Sequence, residues 1–383
     1  MNYIEQMVAE LCPNGVEFRE LGNCIKKNVG GGTPSRGNPS YWNGNILWAS
    51  VGDLSIPGNF INTTRATITT EGLSNSSSNI VPCGDVIVAV KISPGKMKIA
   101  AADIAINQDL RGLSLKDFLD SSFLTYYFQT ISIIGNGTIV KGITNDTLER
   151  IRIPVPPLPI QQEIVRVLDL FMALQANLQA ELVARRKQYQ YYRDQLLSFE
   201  GRKDVRWGTL GEMFDMRAGH HISAQNIIAE PDQSHLYPCF GGNGVRGFVE
   251  KFSHDGAYLL IGRQGALCGN VQRARGKFYA TEHAVVVTAS AEINVDWAFH
   301  MLTLMNLNQY ASKSAQPGLA VGKLAELRIA VPPLAEQEEI AGILDKFDAL
   351  VNDLSIGLPA EIAARQKQYE YYRDRLLTFP EAG

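Results

Sequence analysis

Residues 187–199 read KQYQYYRDQLLSF and residues 367–379 read KQYEYYRDRLLTF, ten of thirteen letters identical at a distance of 180 positions. The likeness extends backwards: IRIPVPPLPIQQEIVRVLDLFMAL (151–174) matches LRIAVPPLAEQEEIAGILDKFDAL (327–350) at an offset of 176, so the second copy carries four extra residues between its matched blocks. Each copy opens on a strand-like tail and a proline pair, Pro156-Pro157 or Pro332-Pro333. Proline lacks the N–H that a continuing ladder needs, so the pair fixes where a helix begins.

The first helix carries Ile164, Leu168, Phe171, Gln175, Leu178, Leu182, Arg185, Tyr189, Tyr192, Leu196 and Phe199 in alternating steps of four and three, a heptad seam. About 40 residues of helix reach roughly 60 Å at ~1.5 Å per residue, and such a helix cannot bury its stripe alone. The second copy offers the same seam at Ile340, Leu344, Phe347, Val351, Leu354 and Leu358, then Ile362, Arg365, Tyr369, Tyr372, Leu376 and Phe379. Four added residues form a stutter, which keeps a seam on one side. Gly357 and Pro359 fall there, so this helix is expected to kink or restart, with Pro359 in a first turn.

The remaining segments are rich in Gly, Ser, Thr, Asn and β-branched residues, with strand candidates IVAVKI, YLLIG and HAVVVTA and turn signals NPSYWNGN and FGGNGVRG. They correspond loosely: VEFRELG (16–22) answers VRWGTLG (205–211), and GDVIVAV (84–90) is set against GAYLLIG (256–262). The expected architecture is α+β: two mixed α/β globules at 1–150 and 200–327, separated by long helical segments at 151–199 and 328–383. The helices are expected to pair as an antiparallel coiled coil with pseudo-two-fold symmetry. Nearly identical supports carrying dissimilar globules suggest two binding modules with different targets. Duplex DNA has a matching dyad, with major-groove sites on one face ~34 Å apart.

Composition narrows the class. A 383-residue chain with 45% hydrophobic and 20% charged residues is a folded one with room for two or three domains. No uninterrupted apolar run nears the ~18 residues of a membrane span, and MNYIEQMVAELCPNG lacks the features of a signal peptide, so a cytosolic protein is expected. Five scattered cysteines without a CxxC pair fit buried or incidental thiols in a reducing compartment. The net charge of −3 neither advertises a nucleic-acid binder nor excludes one, because a local basic face decides.

The duplicated PPL-xx-Q-x-E-I openings at 156–164 and 332–340, the KQYxYYRDxLLxF ends, the LCPNGVEFRELG start and the GGTPS…YWNG stretch at 31–44 resemble the specificity (S) subunits of type I restriction-modification systems, the HsdS family, over the full chain. The resemblance implies two target-recognition domains, each reading one half of a bipartite DNA site, joined by helices in an antiparallel coiled coil. It also implies docking of two modification subunits that use S-adenosylmethionine to methylate adenine, and of restriction subunits that use ATP and Mg2+. The S chain itself is then not the catalyst and holds no cofactor.

The residues carry little chemistry of their own. Asn38-Pro39-Ser40-Tyr41 is similar to the [ND]PP[YF] loop of adenine methyltransferases, but Gly30-Gly31-Gly32-Thr33-Pro34 leads into no cofactor-binding helix. Pro231-Asp232 is followed by no [DE]xK, and no GxxxxGK[ST] is present. His220-His221 and Glu282-His283 lack further ligands; the former suit a surface or DNA-facing place, and His283 a strand-edge one. Candidate DNA contacts are Arg36, Tyr41, Trp42, Lys91, Lys96, Lys98 and Lys141 in the first globule. In the second they are Arg217, His220, Arg246, Lys251, Arg263, Arg273, Arg275 and Lys277. Lysines suit phosphates, and Arg263 in IGRQGALCG offers a guanidinium fork to a guanine edge. Tyr189 and Tyr192 belong to the seam, whereas Tyr191 and Tyr371 lie off it and suit a partner subunit. The rival readings are a coiled-coil scaffold without DNA binding and a self-contained methyltransferase.

Overall fold

A computed structural model describes residues 3–135, 141–313 and 317–383. The chain divides into two compact units, Met1–Leu178 with Ile362–Gly383, and Gln179–Glu361. Each unit therefore owns one globule, the opening of one helical copy and the KQYxYYRD end of the other.

In the first unit a five-stranded sheet runs in the order Ile25–Gly30, Leu110–Leu115, Val86–Ala89, Met97–Ala100 and Phe60–Ile61, beside a four-stranded sheet of Ala66–Ile68, Trp42–Ala49, Ile104–Ile106 and Asn79–Val81. Val86–Ala89 and Ile104–Ile106 are buried at every position, the pattern of strands covered on both faces. The second unit has a six-stranded sheet in the order Phe214–Ala218, Ala284–Ala289, His254–Gly262, Val271–Ala280, Tyr237–Gly241 and Gly244–Val249. Leu260, Ala274, Phe278, Ala280 and Val286 form its buried cluster.

Each unit also has a two-stranded sheet at the root of its helix. Phe18 pairs with Pro154 in one, and Trp207 with Ala330 in the other, the register that aligns VEFRELG with VRWGTLG. Past the proline pairs the helices start at Leu158 and Leu334. The glutamine of each PPL-xx-Q opening is fully buried and acts as a clamp. Gln161 donates to the carbonyls of Pro156 (2.7 Å) and Phe118 (2.8 Å) and accepts from the Asp120 N–H (2.8 Å). Gln337 does the same with Pro332 (2.8 Å), Glu292 (3.0 Å) and the Asn294 N–H (2.8 Å). Asp120 and Asn294 are the N-caps of the helices Ser121–Phe128 and Val295–Leu304, so one amide ties two helix starts together. Gln161→Ala or Gln337→Ala strands several buried polar groups at once. The expected loss is about 2–5 kcal/mol, read as a lower urea midpoint.

The long helix, Leu158–Leu196, is uninterrupted. Ile164, Leu168, Leu182 and Tyr189 of the seam are buried, while Phe199 packs just past the helix end. By length and composition this helix passes as a membrane span, with an 18-residue window of mean hydropathy 1.2. Its stripe at Ile160, Ile164 and Leu168 is taken up by the first unit's core. The second copy breaks as expected, into Leu334–Asn352 and Leu358–Leu376. Asp353 turns the chain by accepting from the N–H groups of Ser355 (2.7 Å) and Ile356 (3.3 Å). Leu354 was expected in the seam but lies in this turn, 83% exposed.

Within each unit the helical segments pair antiparallel. In the first, Phe171 stacks on Tyr372 (5.6 Å between centroids), and one turn later Gln175 donates to Gln366 (2.9 Å), so one index rises as the other falls. In the second, Phe347 stacks on Tyr192 (5.6 Å) and Tyr189 (6.4 Å). The tyrosines of both KQYxYYRD stretches at these positions are packing residues, and burial pushes the Tyr189 hydroxyl up to about 12.

Candidate nucleic-acid interface

The dissimilar globules share one backbone corner. In the first unit Trp42–Ala49 lies parallel to Ile104–Ile106, the Asn107 N–H donates to the Ala49 carbonyl (3.0 Å) and the Gly32 N–H to the Ile106 carbonyl (3.0 Å). In the second, Tyr237–Gly241 lies parallel to Val271–Ala280, the Thr281 N–H donates to Phe240 (2.9 Å) and the His220 N–H to Ala280 (2.9 Å). A Cβ on Gly31 would sit 2.1 Å from the Ile106 carbonyl oxygen, and one on Gly219 2.4 Å from that of Ala280. Only glycine lets the turn approach the strand this closely.

The neighbouring strand closes the same corner. Val90 N–H donates to Asp109 (2.9 Å) and Arg263 N–H to His283 (2.8 Å); Ile143 and Leu319 donate back to Val90 (2.8 Å) and Arg263 (2.9 Å). Val90 is thus the counterpart of Arg263, and Ala89 of Gly262. The alignment of GDVIVAV with GAYLLIG found the right strands but was out by one residue. Strands buried on both faces lack the alternation that would have fixed the register.

The candidate contacts fall into three groups. At the corner of the first unit, Lys91 is paired with Asp109 (3.5 Å) and Lys141 is exposed beside it, its carbonyl accepting from Ile92 (2.7 Å). Nearby in the chain, Arg36 lies over the Trp42 ring (5.3 Å), and Trp42 donates to the Ser35 carbonyl (3.1 Å), which stiffens the loop. Half-buried Tyr41 ends the turn Pro39–Tyr41, capped by Asn38. At the corner of the second unit stand His220 and Arg263, whose guanidinium reaches the Glu282 carbonyl (3.5 Å). Lys251 lines a cavity of about 440 Å3 together with His221.

A second group is exposed elsewhere on the second globule. Arg217 pairs with Asp215 (3.0 Å), Lys277 lies over Phe252 (4.8 Å), Arg275 pairs with Asp296 (2.6 Å), and Arg246 is exposed on Gly244–Val249.

Two candidates, Lys98 and Arg273, turn into the interior, a correction to their assignment as surface contacts, while Lys96 beside Lys98 stays exposed. Lys98 is buried, its ammonium donating to the Ile56 carbonyl (2.8 Å); burial, helped by Lys96, lowers its pKa. Lys96 bonds Ser55 (3.0 Å), and both lysines line a cavity of about 610 Å3 with Tyr369 and Arg373. Arg273 turns inward, ion-paired with Asp345 and with Asp296 (3.1 Å), its guanidinium 4.0 Å over Phe299. Strand periodicity says which face a residue takes, but not that a helix covers that face.

The sequence search passed over Thr33, Gln108, Asp109 and Gln264, and weighed Glu282 only as a metal ligand; His221 and His283 attach to this set. Thr33 donates to Gln108 (2.5 Å), and Gln108 to Asp109 (3.5 Å). His221 donates to Glu282 (2.8 Å), and His283 to Gln264 (2.7 Å). Each network joins side chains that are distant in sequence, so no short motif announces it. Among the described residues, no three His, Cys, Asp or Glu side chains gather as a metal site.

Beneath the second globule, fully buried His300 sits between Tyr189 (3.3 Å) and Asp345 (2.8 Å). Desolvation lowers its pKa despite the Asp345 hydrogen bond. The unfolded chain therefore takes up this proton first: the contribution is complete above the ordinary histidine value of about 6.5 and is lost as pH falls below it. Asp345 is also lowered, by the His300 and Arg273 hydrogen bonds that outweigh its desolvation, and adds a loss of the same sign in stronger acid. In the first unit the equivalent contact is the Tyr126 hydroxyl donating to Asp169 (2.5 Å), and burial, with that hydrogen bond, pushes the hydroxyl's pKa up. Melts between pH 7.5 and 5 are expected to show a falling transition that His300→Gln flattens.

Comparison with known proteins agrees with this architecture. Residues 13–184 and 203–364 match the Type I restriction modification DNA specificity domain. The chain is 46% identical over 377 residues to the Type I restriction enzyme EcoprrI specificity subunit of Escherichia coli, covering 93% of this chain and 92% of that one. In fold it is similar to the type I restriction-modification S subunit from M. genitalium, with TM-score 0.62 and 17% identity over 95% of this chain and 96% of the other. The HsdS subunit from Thermoanaerobacter tengcongensis gives TM-score 0.51 and 16% identity over 96% and 97%.

Proposed function

The chain belongs to the specificity subunits of type I restriction-modification systems, and from that premise we propose that its two globules each read one half of a bipartite, asymmetric DNA site. It is the noncatalytic, DNA-recognition member of such a system. The observation that carries the bipartite reading is the pairing of one shared corner scaffold with two different sets of exposed polar side chains, on helical arms that hardly differ. A structural scaffold gains nothing from varying only that corner, whereas two readers of different sequences need that variation.

The repeated arms supply two equivalent docking places for modification subunits. Tyr191 and Tyr371 occupy matching positions, 62% and 60% exposed, each held edge-on against its neighbouring tyrosine. Solvent-exposed aromatic rings at repeated positions suit two copies of one partner. In this reading S-adenosylmethionine sits on the modification subunits, ATP and Mg2+ sit on the restriction subunits, and the complex works in the cytoplasm where it meets DNA.

Binding to duplex DNA tests the reading. Affinity should fall steeply with salt, with a slope reporting several phosphate contacts. Salt-independent or absent binding by the chain with its modification subunits would favour a scaffold instead.

A further inference from the structure

We propose that the corner at the glycine turn is the base-reading site of each globule, through Thr33, Gln108 and Asp109 in the first and His221, Glu282 and His283 in the second. The proposal rests on the DNA-reading function above and names the residues that set its specificity.

The backbone fixes the equivalence. Asn107 and Thr281 make the same hydrogen bond to the parallel strand, so the next two residues, Gln108-Asp109 and Glu282-His283, hold the same two places. Gly32 and His220 make the same bond to the other strand end, which matches Thr33 with His221. Val90 and Arg263 match in turn, and with them Lys91 and Gln264. At all four places the side chain changes chemical type while the main-chain bonds stay, so these positions vary without disturbing the fold.

In both units the four side chains are already organised. Thr33 donates to Gln108, Gln108 to Asp109, and Lys91 lies 3.5 Å from Asp109. His221 donates to Glu282, His283 donates to Gln264, and the far nitrogen of His283 lies 3.6 Å from Glu282. A network of this kind holds each group in one orientation before a partner arrives, which reading a base edge requires. None of the eight is apolar, and the corner is open to solvent at Thr33, Lys91, Gln108, His221 and Gln264.

The chemistry differs in a way that bases distinguish. A glutamine amide donates and accepts, and pairs with the N6 and N7 edge of adenine. A glutamate only accepts, and takes the exocyclic amine of cytosine or adenine. Glu282 has one oxygen bound by His221, whereas its Oε2 is buried and makes no hydrogen bond, an unmet acceptor that a small turn of the half-buried side chain would bring to a base amine. Partial burial raises its pKa, but the His221 hydrogen bond and the nearby histidines outweigh this and hold it below the ordinary value, so it remains an acceptor at neutral pH. Exposed lysines flank both corners, Lys251 lining a cavity with His221 and Lys141 lying beside Lys91, and they suit phosphates.

The test uses the full chain with its modification subunits and two variants, Glu282→Gln and Gln108→Glu. Methylated motifs are mapped in cells, and purified complexes bind duplexes that differ at single half-site positions. Glu282→Gln should relax or switch discrimination in one half-site only, by roughly ten- to a hundredfold at one position. Gln108→Glu should do the same in the other half-site, with the gap unchanged in both. Unchanged motifs and duplex rankings, or an even loss over both halves, would overturn the proposal. Should Glu282→Gln destabilise its globule, Gln108→Glu decides, because Gln108 is exposed. A wild-type complex that prefers no sequence would defeat the DNA-reading function itself, a result separable from failure of the corner.

Discussion

A matched insertion of four residues, one after Gln175 and one beside Ser355, is expected to lengthen the gap between the two recognised half-sites and to leave their sequences unchanged. The helix Leu158–Leu196 runs unbroken across the junction of the two units at Leu178 and Gln179, so added residues extend it rather than loop out. Four residues add about 6 Å at ~1.5 Å per residue, close to two base-pair steps of ~3.4 Å. Four is also a stutter, which locally unwinds the supercoil but returns the seam to the same side. The second arm already turns at Asp353–Gly357, so it accepts the match there without breaking a helix. Methylome sequencing of the variant reads the outcome, and an unchanged gap would mean that the arms do not set spacing.

Arg273→Ala should cost the second unit about 2–4 kcal/mol. Removing one partner of a buried ion pair typically costs ~3–5 kcal/mol, and the lower figure here reflects an Asp345 side chain 37% open to water. The arginine also covers Phe299 and faces His300, so its loss leaves Asp345, Asp296 and a buried histidine rearranging together. Lysine cannot replace the fork, and Arg273→Lys should recover only part of the loss. Urea unfolding provides the readout. A variant with a wild-type midpoint and a salt slope smaller by about one would instead return Arg273 to the DNA surface.

What was legible in the sequence follows from what local periodicity encodes. The seam from Ile164 to Tyr189, the break near Gly357 and the helix starts after each proline pair were readable because each depends on residues within a few turns. Leu354 was misread because the heptad count ran through a turn that Asp353 makes with its own side chain. The roles of Gln161 and Gln337 could not be read, since a buried amide clamp spends its bonds on carbonyls about 45 residues away. Lys98 and Arg273 looked like surface charges because sequence shows a basic residue in a strand but not the cavity or helix that covers it. At the corner, Thr33 and Gln108 are unremarkable as letters and meet only through a parallel strand pairing. Searching for basic residues therefore found the charged surroundings of the corner and passed over the polar network inside it.

The central claim is that one chain carries two independent readers of DNA sequence. Mapping the methylated motif in cells that express this chain with its modification subunits tests it most directly. The account predicts one asymmetric, bipartite motif, with two unlike half-sites, a fixed gap and methylated adenine in each half. A single uninterrupted or palindromic motif, or methylation that does not change when this chain is omitted, would contradict it.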